Sequence, residues 1–339
     1  MLVAVSPYHL TTREPPAMAA LLLAERVVTM IPSPSAGAGH AALHRAVERS
    51  PQYLRFMQSW EWSLPLWRAG VISSVLDGHD PCEEVFEACA RIDSDPALAG
   101  LRPLMRPELF ESDERYLAEL SRDVLRAGPD PCFSVPVAAG LDRFAARYGA
   151  MVARSEPVSI AQRAEARLAR PLFAVAVPVL LQAGGDLILR ARAALDTPLE
   201  ALRRAITMSA GVPSSEHWSE VAVASAPGRT AGSSGSASVA LASPLRAAAA
   251  QYTEAFERAL PDLAAPRDEA RAVGGLVALE AAVLPETAVL RASLAAVRAM
   301  RSHGRAEEPA IGPDLDDPSA RPVVTLFIRS IGATARSLR

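Results

Sequence analysis

A polar segment, Ser6 to Glu14, gathers hydroxyl, imidazole, carboxylate and guanidinium groups in one short stretch. It follows an apolar, strand-like stretch from Leu2 to Val5, and open α/β sheets bind ligands at the carboxyl ends of their strands. We therefore predict that His9 and Arg13 contact a ligand. The alternative is that these polar groups cap the entry to a helix that begins near Pro16.

Arginines between residues 154 and 170 form a second candidate for ligand binding. Arg163 and Arg167 are four residues apart, so a helix would place them on one face, and Arg154 precedes them. Guanidinium groups bind carboxylates and phosphates through paired hydrogen bonds, which predicts an anionic small molecule as the ligand. Glu165 lies among these arginines, and ordinary surface ion pairing explains the same pattern.

Two histidine-containing groups have spacings that suit other chemistry. His40, His44 and Glu48 would lie on one helix face, but nothing nearby completes a metal site, and the metalloprotease motif requires glutamate where Ala41 stands. A solvated helix face explains this group better, and we predict no metal site.

The second group is a run of ionisable residues around Cys82. His79 and Cys82 could form an activated nucleophile. However, Asp80 can cap a helix whose first turn holds the acidic pair Glu83-Glu84, and we favour that interpretation. The chain has no Gly-x-Ser-x-Gly or Cys-x-x-Cys motif and no dinucleotide-binding glycine loop. We predict no cofactor, and the sequence leaves open whether the protein is an enzyme.

Three tryptophans, Trp60, Trp62 and Trp67, lie close together in a helical pattern. Trp60 and Trp67 share its apolar stripe, which indicates core packing, whereas Trp62 lies off that stripe. Exposed tryptophans are good interface anchors. The three residues are therefore our candidates for contact with a protein partner or a second copy, with core or edge packing as the alternative.

The composition excludes several classes of protein. The chain has 339 residues, half of them apolar, with a formal net charge of −3. It contains alanine in excess and neither lysine nor asparagine, a bias typical of GC-rich bacterial genomes. Mechanisms that use a Schiff-base lysine or a phosphate-loop lysine are thus excluded. The charge balance does not favour binding to nucleic acid.

Three irregularly spaced cysteines, Cys82, Cys89 and Cys132, do not form a disulfide framework, which favours a reducing compartment. The first residues lack the features of a signal peptide. The most apolar run, Leu172 to Gly185, is too short to cross a bilayer. We therefore expect a soluble cytoplasmic protein without a membrane span.

The periodicity predicts a mixed α and β fold (α+β) dominated by helices. We expect a mainly helical region at 1–131 with a short first strand, a βα-alternating region at 132–212, and an α+β region at 213–339 with flexible loops at 228–236 and 304–321. The main predicted elements are helices at Ala17–Ile31, His40–Arg126, Ile160–Ala169, Leu187–Ser209 and Ser243–Leu260, and strands at Ala150–Ala153, Phe173–Leu181, Val273–Leu284 and Pro322–Ile331. We expect the helical stretch Leu187–Ser209 to be broken near Asp196.

Two functional hypotheses follow from these patterns. The first is a bacterial cytoplasmic interaction or scaffold protein without catalytic activity, because no catalytic motif is present and an aromatic helix is available for a partner. The alternative is an enzyme or sensor that binds an anionic small molecule through His9, Arg13 and the arginines of 154–170. The convergence of these side chains would favour the second hypothesis.

Overall fold

The computed structural model describes residues 1–34, 41, 44, 48, 53–74, 83–105, 140–141, 144–145, 148–155, 169–210, 235–263, 271–282, 323–330 and 336–337. In this part of the chain the fold is mixed α and β and dominated by helices, as predicted. None of the helices described there combines the length and the apolar character that a bilayer span requires.

Helices and strands alternate along much of the described chain. The helices are α1 (Pro7–Thr11), α2 (Pro15–Leu23), α3 (Tyr53–Phe56), α4 (Ser59–Arg68), α5 (Glu83–Ser94), a 3-10 helix (Pro96–Met105), α6 (Gly185–Ala194), α7 (Asp196–Ala210) and α8 (Gly235–Leu263). The strands are β1 (Leu2–Ala4), β2 (Arg26–Thr29), β3 (Ile72–Ser74), β4 (Met151–Ser155), β5 (Ala169–Leu181), β6 (Arg271–Ala282), β7 (Val323–Ser330) and β8 (Arg336–Ser337).

The described strands form one sheet in the order β3-β2-β1-β4-β7-β6-β5, and β8 pairs with the start of β6. Strands β3, β2, β1, β4 and β7 are parallel. Strand β6 runs antiparallel to both β7 and β5, so β5 points in the same direction as β1. All three predicted regions contribute strands to this sheet, while the division into those regions stays a prediction.

In strands β1 and β2, side chains are buried on both faces of the sheet. Val3 and Val27 belong to a large core cluster on one face, with α2 and α6, whereas Ala4 and Val28 join a second cluster with Leu141 and its neighbours. Successive residues of a strand point to opposite faces, so both faces must be apolar when helices cover both. This explains the consecutive apolar residues of β1 and the pair Val27-Val28 in β2.

Helix α2 lies entirely inside the protein, and arginines from two other helices bind its carboxyl end. Every residue from Pro16 to Ala24 is buried. The guanidinium of Arg192 donates hydrogen bonds to the carbonyls of Leu21, at 2.8 Å, and Ala24. Arg203 donates to the carbonyl of Leu23 at 2.8 Å and to that of Ala24 at 3.2 Å. The last carbonyls of a helix have no partners within it, so these charged donors replace the water that burial removes.

Both arginines are cations in an apolar setting. Burial, followed by the nearby charge of Arg203, lowers the pKa of Arg192 to about 10, so Arg192 stays positively charged at neutral pH. Burial likewise lowers the pKa of Arg203. The negative end of the α2 dipole favours these positive charges, in addition to their hydrogen bonds.

Two of the predicted helices are wrong in part, because each contains a strand. The predicted helix Ala17–Ile31 ends at Leu23, and β2 follows it. Helix α2 is apolar on all sides, and all of its residues from Pro16 onward are buried. Ala24 is already extended, and the β-branched pair Val27-Val28 suits a strand between two neighbours.

The second error concerns the helical stretch His40–Arg126. Gly70 has a φ of 70° and ends α4 in the left-handed conformation that glycine adopts without strain, and β3 begins two residues later. Residues 40, 42–43, 45–47, 49–52, 75–82 and 106–126 of this stretch lie outside the described residues.

Other predictions agree with the structure. Strands β4, β6 and β7 lie where we expected them, and the break near Asp196 separates α6 from α7.

The bounds of other predicted elements differ. Helix α8 begins at Gly235 rather than at Ser243, so the last two residues of the predicted loop 228–236 are helical. Ala169 begins β5 and does not end a helix. The loop at 304–321 lies outside the described residues.

Strand β5 is long and pairs with β6 alone among the described strands. It contains Pro171 and Pro178, and its register with β6 shifts between Pro171 and Phe173. Proline has no N–H group and is tolerated mainly on edge strands. Helix α8 packs against β5, and the Tyr252 hydroxyl donates to the carbonyl of Pro178 at 3.1 Å. Burial raises the pKa of Tyr252, so the phenol stays protonated as a donor.

The capping of α2 leads to a prediction about stability. Replacing Arg203 with alanine is expected to lower the free energy of unfolding by about 3 kcal/mol, because buried carbonyls lose charged donors. The matched control is Arg204→Ala on the same helix. Arg204 is exposed and pairs only with Glu200, at 3.4 Å, among the described residues, and its loss should change stability by less than about 0.5 kcal/mol. Urea unfolding of both variants, followed by circular dichroism, checks this, and equal losses would contradict it.

Candidate functional site

The direction of the strands identifies one edge of the sheet as the place for a ligand. Strands β1, β2, β3, β4, β5 and β7 all point the same way, so their carboxyl ends share that edge. From β1 the chain continues to β2 and β3 on one side, whereas β4 lies on the other side. Such a change of direction opens a crevice beyond the strand ends, where open α/β sheets bind ligands.

The polar segment after β1 lies at this edge and is folded as α1 with a turn into α2. The Ser6 hydroxyl accepts the N–H of Tyr8 at 3.3 Å. The hydroxyls of Thr11 and Thr12 donate to the carbonyls of Pro7 and Tyr8 at 2.9 and 2.8 Å. Three of the polar side chains thus stabilise the local backbone, which is the capping role that we weighed against ligand binding.

His9 lies below the surface beside a carboxylate. Its side chain is buried, and its Nε2 is 3.3 Å from Oε2 of Glu14. The backbone N–H of Glu14 donates to the carbonyl of His9 at 2.9 Å, and the Thr12 hydroxyl donates to Oε1 of Glu14 at 3.0 Å. His9 therefore supports the turn that carries Arg13.

Arg13 is held in an unusual conformation between two helices. Its φ is 52°, and its guanidinium carbon lies 5.0 Å from the centre of the Trp62 ring. Its Nη1 donates to the carbonyl of Gln182 at 3.4 Å. No carboxylate among the described residues forms an ion pair with it. We call Arg13, Trp62 and Gln182 the Arg13 cluster.

The Arg13 cluster also concentrates backbone strain. Arg13 and Gln182, with a φ of 56°, are the non-glycine residues that have positive φ in the described part of the chain. They are far apart in sequence, yet they are joined by the hydrogen bond from Arg13 to the Gln182 carbonyl. The left-handed conformation costs about 1–2 kcal/mol for each such residue. Strain of this kind is frequent at binding sites, where the surrounding structure enforces it.

A close helix contact fixes Trp62 within this cluster. A Cβ atom at Gly185, the first residue of α6, would lie 2.8 Å from the carbonyl oxygen of Trp62 and 3.1 Å from Cδ of Pro65. Only glycine therefore lets α4 approach the start of α6 this closely. At the neighbouring Gly184, no atom lies within 4 Å of the corresponding position.

The structure places only some of the predicted anion-binding residues relative to this site. His9 and Arg13 lie in the same short segment, and Arg154 is on β4, whose carboxyl end lies at the same edge of the sheet. Arg163 and Arg167 lie outside the described residues. Gln182 and Gly185 were not predicted from the sequence, although the pair Gly184-Gly185 at the end of the apolar run Leu172 to Gly185 is a signal for a tight strand-to-helix turn.

The three tryptophans that were interface candidates pack against the core. All three are partly buried against the large core cluster. The Nε1 of Trp60 donates to the carbonyl of Pro32 at 3.1 Å, and that of Trp67 donates to the Ser63 hydroxyl at 3.2 Å. Their role at an interface stays a prediction.

The candidate metal and nucleophile groups remain incomplete in the described residues. His44 and Glu48 form an exposed pair at 3.1 Å, while His40 lies outside that part of the chain. His79, Asp80 and Cys82 also lie outside it. No group of three or more metal-ligating side chains occurs among the residues that the structure describes.

Comparisons with protein-family models, with curated proteins and with solved structures each find no match for this chain.

The left-handed conformation of Gln182 can be tested with a pair of glycine substitutions. Gln182→Gly is expected to raise the free energy of unfolding by about 1 kcal/mol, because glycine adopts positive φ without strain. Gln251 is also exposed but lies inside α8. Gln251→Gly should lower stability by about 1 kcal/mol, since glycine disfavours a regular helix. Thermal and urea unfolding of both variants give the two signs, and a loss of stability in both would show that Gln182 is unstrained.

Proposed function

We propose that this protein binds a small anionic molecule at the carboxyl edge of its sheet, with Arg13 as the main cationic contact. The observation that carries the proposal is the guanidinium of Arg13. It is oriented by Trp62, bonded only weakly to the Gln182 carbonyl, and paired with no carboxylate among the described residues. A partly exposed cation in this arrangement is prepared to bind an oxyanion.

The surroundings of Arg13 support the same proposal. Two strained residues meet at this one contact, and natural chains keep such strain mainly where function requires it. Arg154, Arg163 and Arg167 are proposed as further cations for the same ligand. His9 and Glu14 shape the turn beneath Arg13 and are not proposed to contact the anion directly.

A second candidate function is a bacterial cytoplasmic interaction or scaffold protein that binds a partner or a second copy. The tryptophans give this second candidate little support, because the Nε1 groups of Trp60 and Trp67 form hydrogen bonds within the chain. Leu54 and Met208 are the large apolar side chains that are exposed in the described residues, at 52% and 73%. Isolated exposed apolar residues are common on protein surfaces, so this support is weaker than that for the anion site.

The anion-binding proposal is tested by titration with sodium phosphate and sodium acetate, against sodium chloride at constant ionic strength. Binding beside Trp62 should change tryptophan emission in a saturable way and raise the melting temperature, because a ligand stabilises the state that binds it. Arg13→Ala should weaken binding by about tenfold or more, as expected for the loss of a charged hydrogen-bond donor. The matched control is Arg68→Ala, an exposed arginine at the end of α4, which should bind like the unaltered protein.

Equal responses of Arg13→Ala and Arg68→Ala would overturn the anion site. Native mass spectrometry of the purified protein separates the two candidate functions. A retained small anion favours the first, and a stoichiometric second chain without a small ligand favours the second.

A further inference from the structure

The guanidinium carbon of Arg13 lies over the Trp62 ring, 5.0 Å from its centre, and this contact bears on which anions the site would select. Arginine commonly contacts an aromatic ring through the flat face of its guanidinium, whereas its N–H groups point outward in its own plane. A stacked arginine can therefore still form two parallel hydrogen bonds with a carboxylate or phosphate. A spherical ion such as chloride cannot use this paired geometry.

The position of Trp62 is itself restrained by packing. Its backbone is in close contact with Gly185 at the start of α6, and its side chain is partly buried against the large core cluster. Arg13 also donates a hydrogen bond to the Gln182 carbonyl. This bond is long, at 3.4 Å, and therefore weak. Among the described residues, the contact with the Trp62 indole is therefore the main restraint on the Arg13 guanidinium.

We infer that Trp62 is a positioning residue that orients Arg13 and makes the site selective for oxyanions that accept two hydrogen bonds in one plane. This inference rests on the proposed anion site and adds the basis of its selectivity. Loss of the Trp62 indole leaves the charge of Arg13 in place but allows its guanidinium to rotate. Anions would then still be attracted, with less discrimination between phosphate or acetate and chloride.

The experiment compares Trp62→Leu, Trp62→Phe and Arg13→Lys with the unaltered protein. Apparent dissociation constants for phosphate and acetate are measured by ligand-observed NMR, with chloride as competitor, so no variant loses its probe. Trp62→Leu should lose about tenfold of the preference for phosphate over chloride, and Trp62→Phe should restore most of it, because a phenyl ring still offers a face. Arg13→Lys should keep the charge but lose the preference, since an ammonium group cannot form the paired bonds.

The outcomes separate this inference from the proposed function. If the unaltered protein binds phosphate through Arg13, and Trp62→Leu keeps the same preference, the positioning role is wrong and the anion site stands. If the unaltered protein binds neither phosphate nor acetate, both are overturned. A circular dichroism spectrum and melting temperature for each variant show whether it is folded, and loss of preference in a folded Trp62→Leu protein supports the inference.

Discussion

The binding of Arg192 and Arg203 to the carboxyl end of α2 is the interaction on which the rest of the structure depends. An apolar helix can lie wholly inside a protein only if its terminal carbonyls find donors there. The two arginines supply them, and they bring α6 and α7 against α2. Helix α2 begins two residues after Arg13, and α6 begins three residues after Gln182. The same contacts therefore help to hold together the segments that carry Arg13 and Gln182, two members of the Arg13 cluster.

The sequence was informative where one local pattern decides the structure. The apolar β6 and β7, and the break at Asp196 between α6 and α7, needed no knowledge of neighbours. The prediction failed between Leu23 and Thr29, because the apolar stretches on either side of Glu25-Arg26 suit a buried helix and a buried strand equally well. Only the neighbours of β2 in the sheet decide in favour of a strand there.

The candidate site was predictable in position but not in mechanism. Its place after β1 followed from the direction of a first strand, and His9 and Arg13 were named on that basis. The contact between Arg13 and Gln182 joins segments far apart in the chain, so no local pattern could indicate it. The hydroxyls of the same segment mainly bond to their own backbone. A polar composition alone does not separate such structural groups from groups that face a ligand.

The prolines of β5 have a consequence for how the protein behaves at high concentration. An exposed strand edge invites pairing with another chain, which is how sheets extend into fibres. Strand β5 is apolar and thirteen residues long, so it would otherwise be a strong template. Pro171 and Pro178 remove two N–H donors, and the irregularity beside Pro171 interrupts an even ladder. An incoming strand would find no N–H donor at either proline, which makes β5 a poorer template for pairing with a second chain than its length suggests.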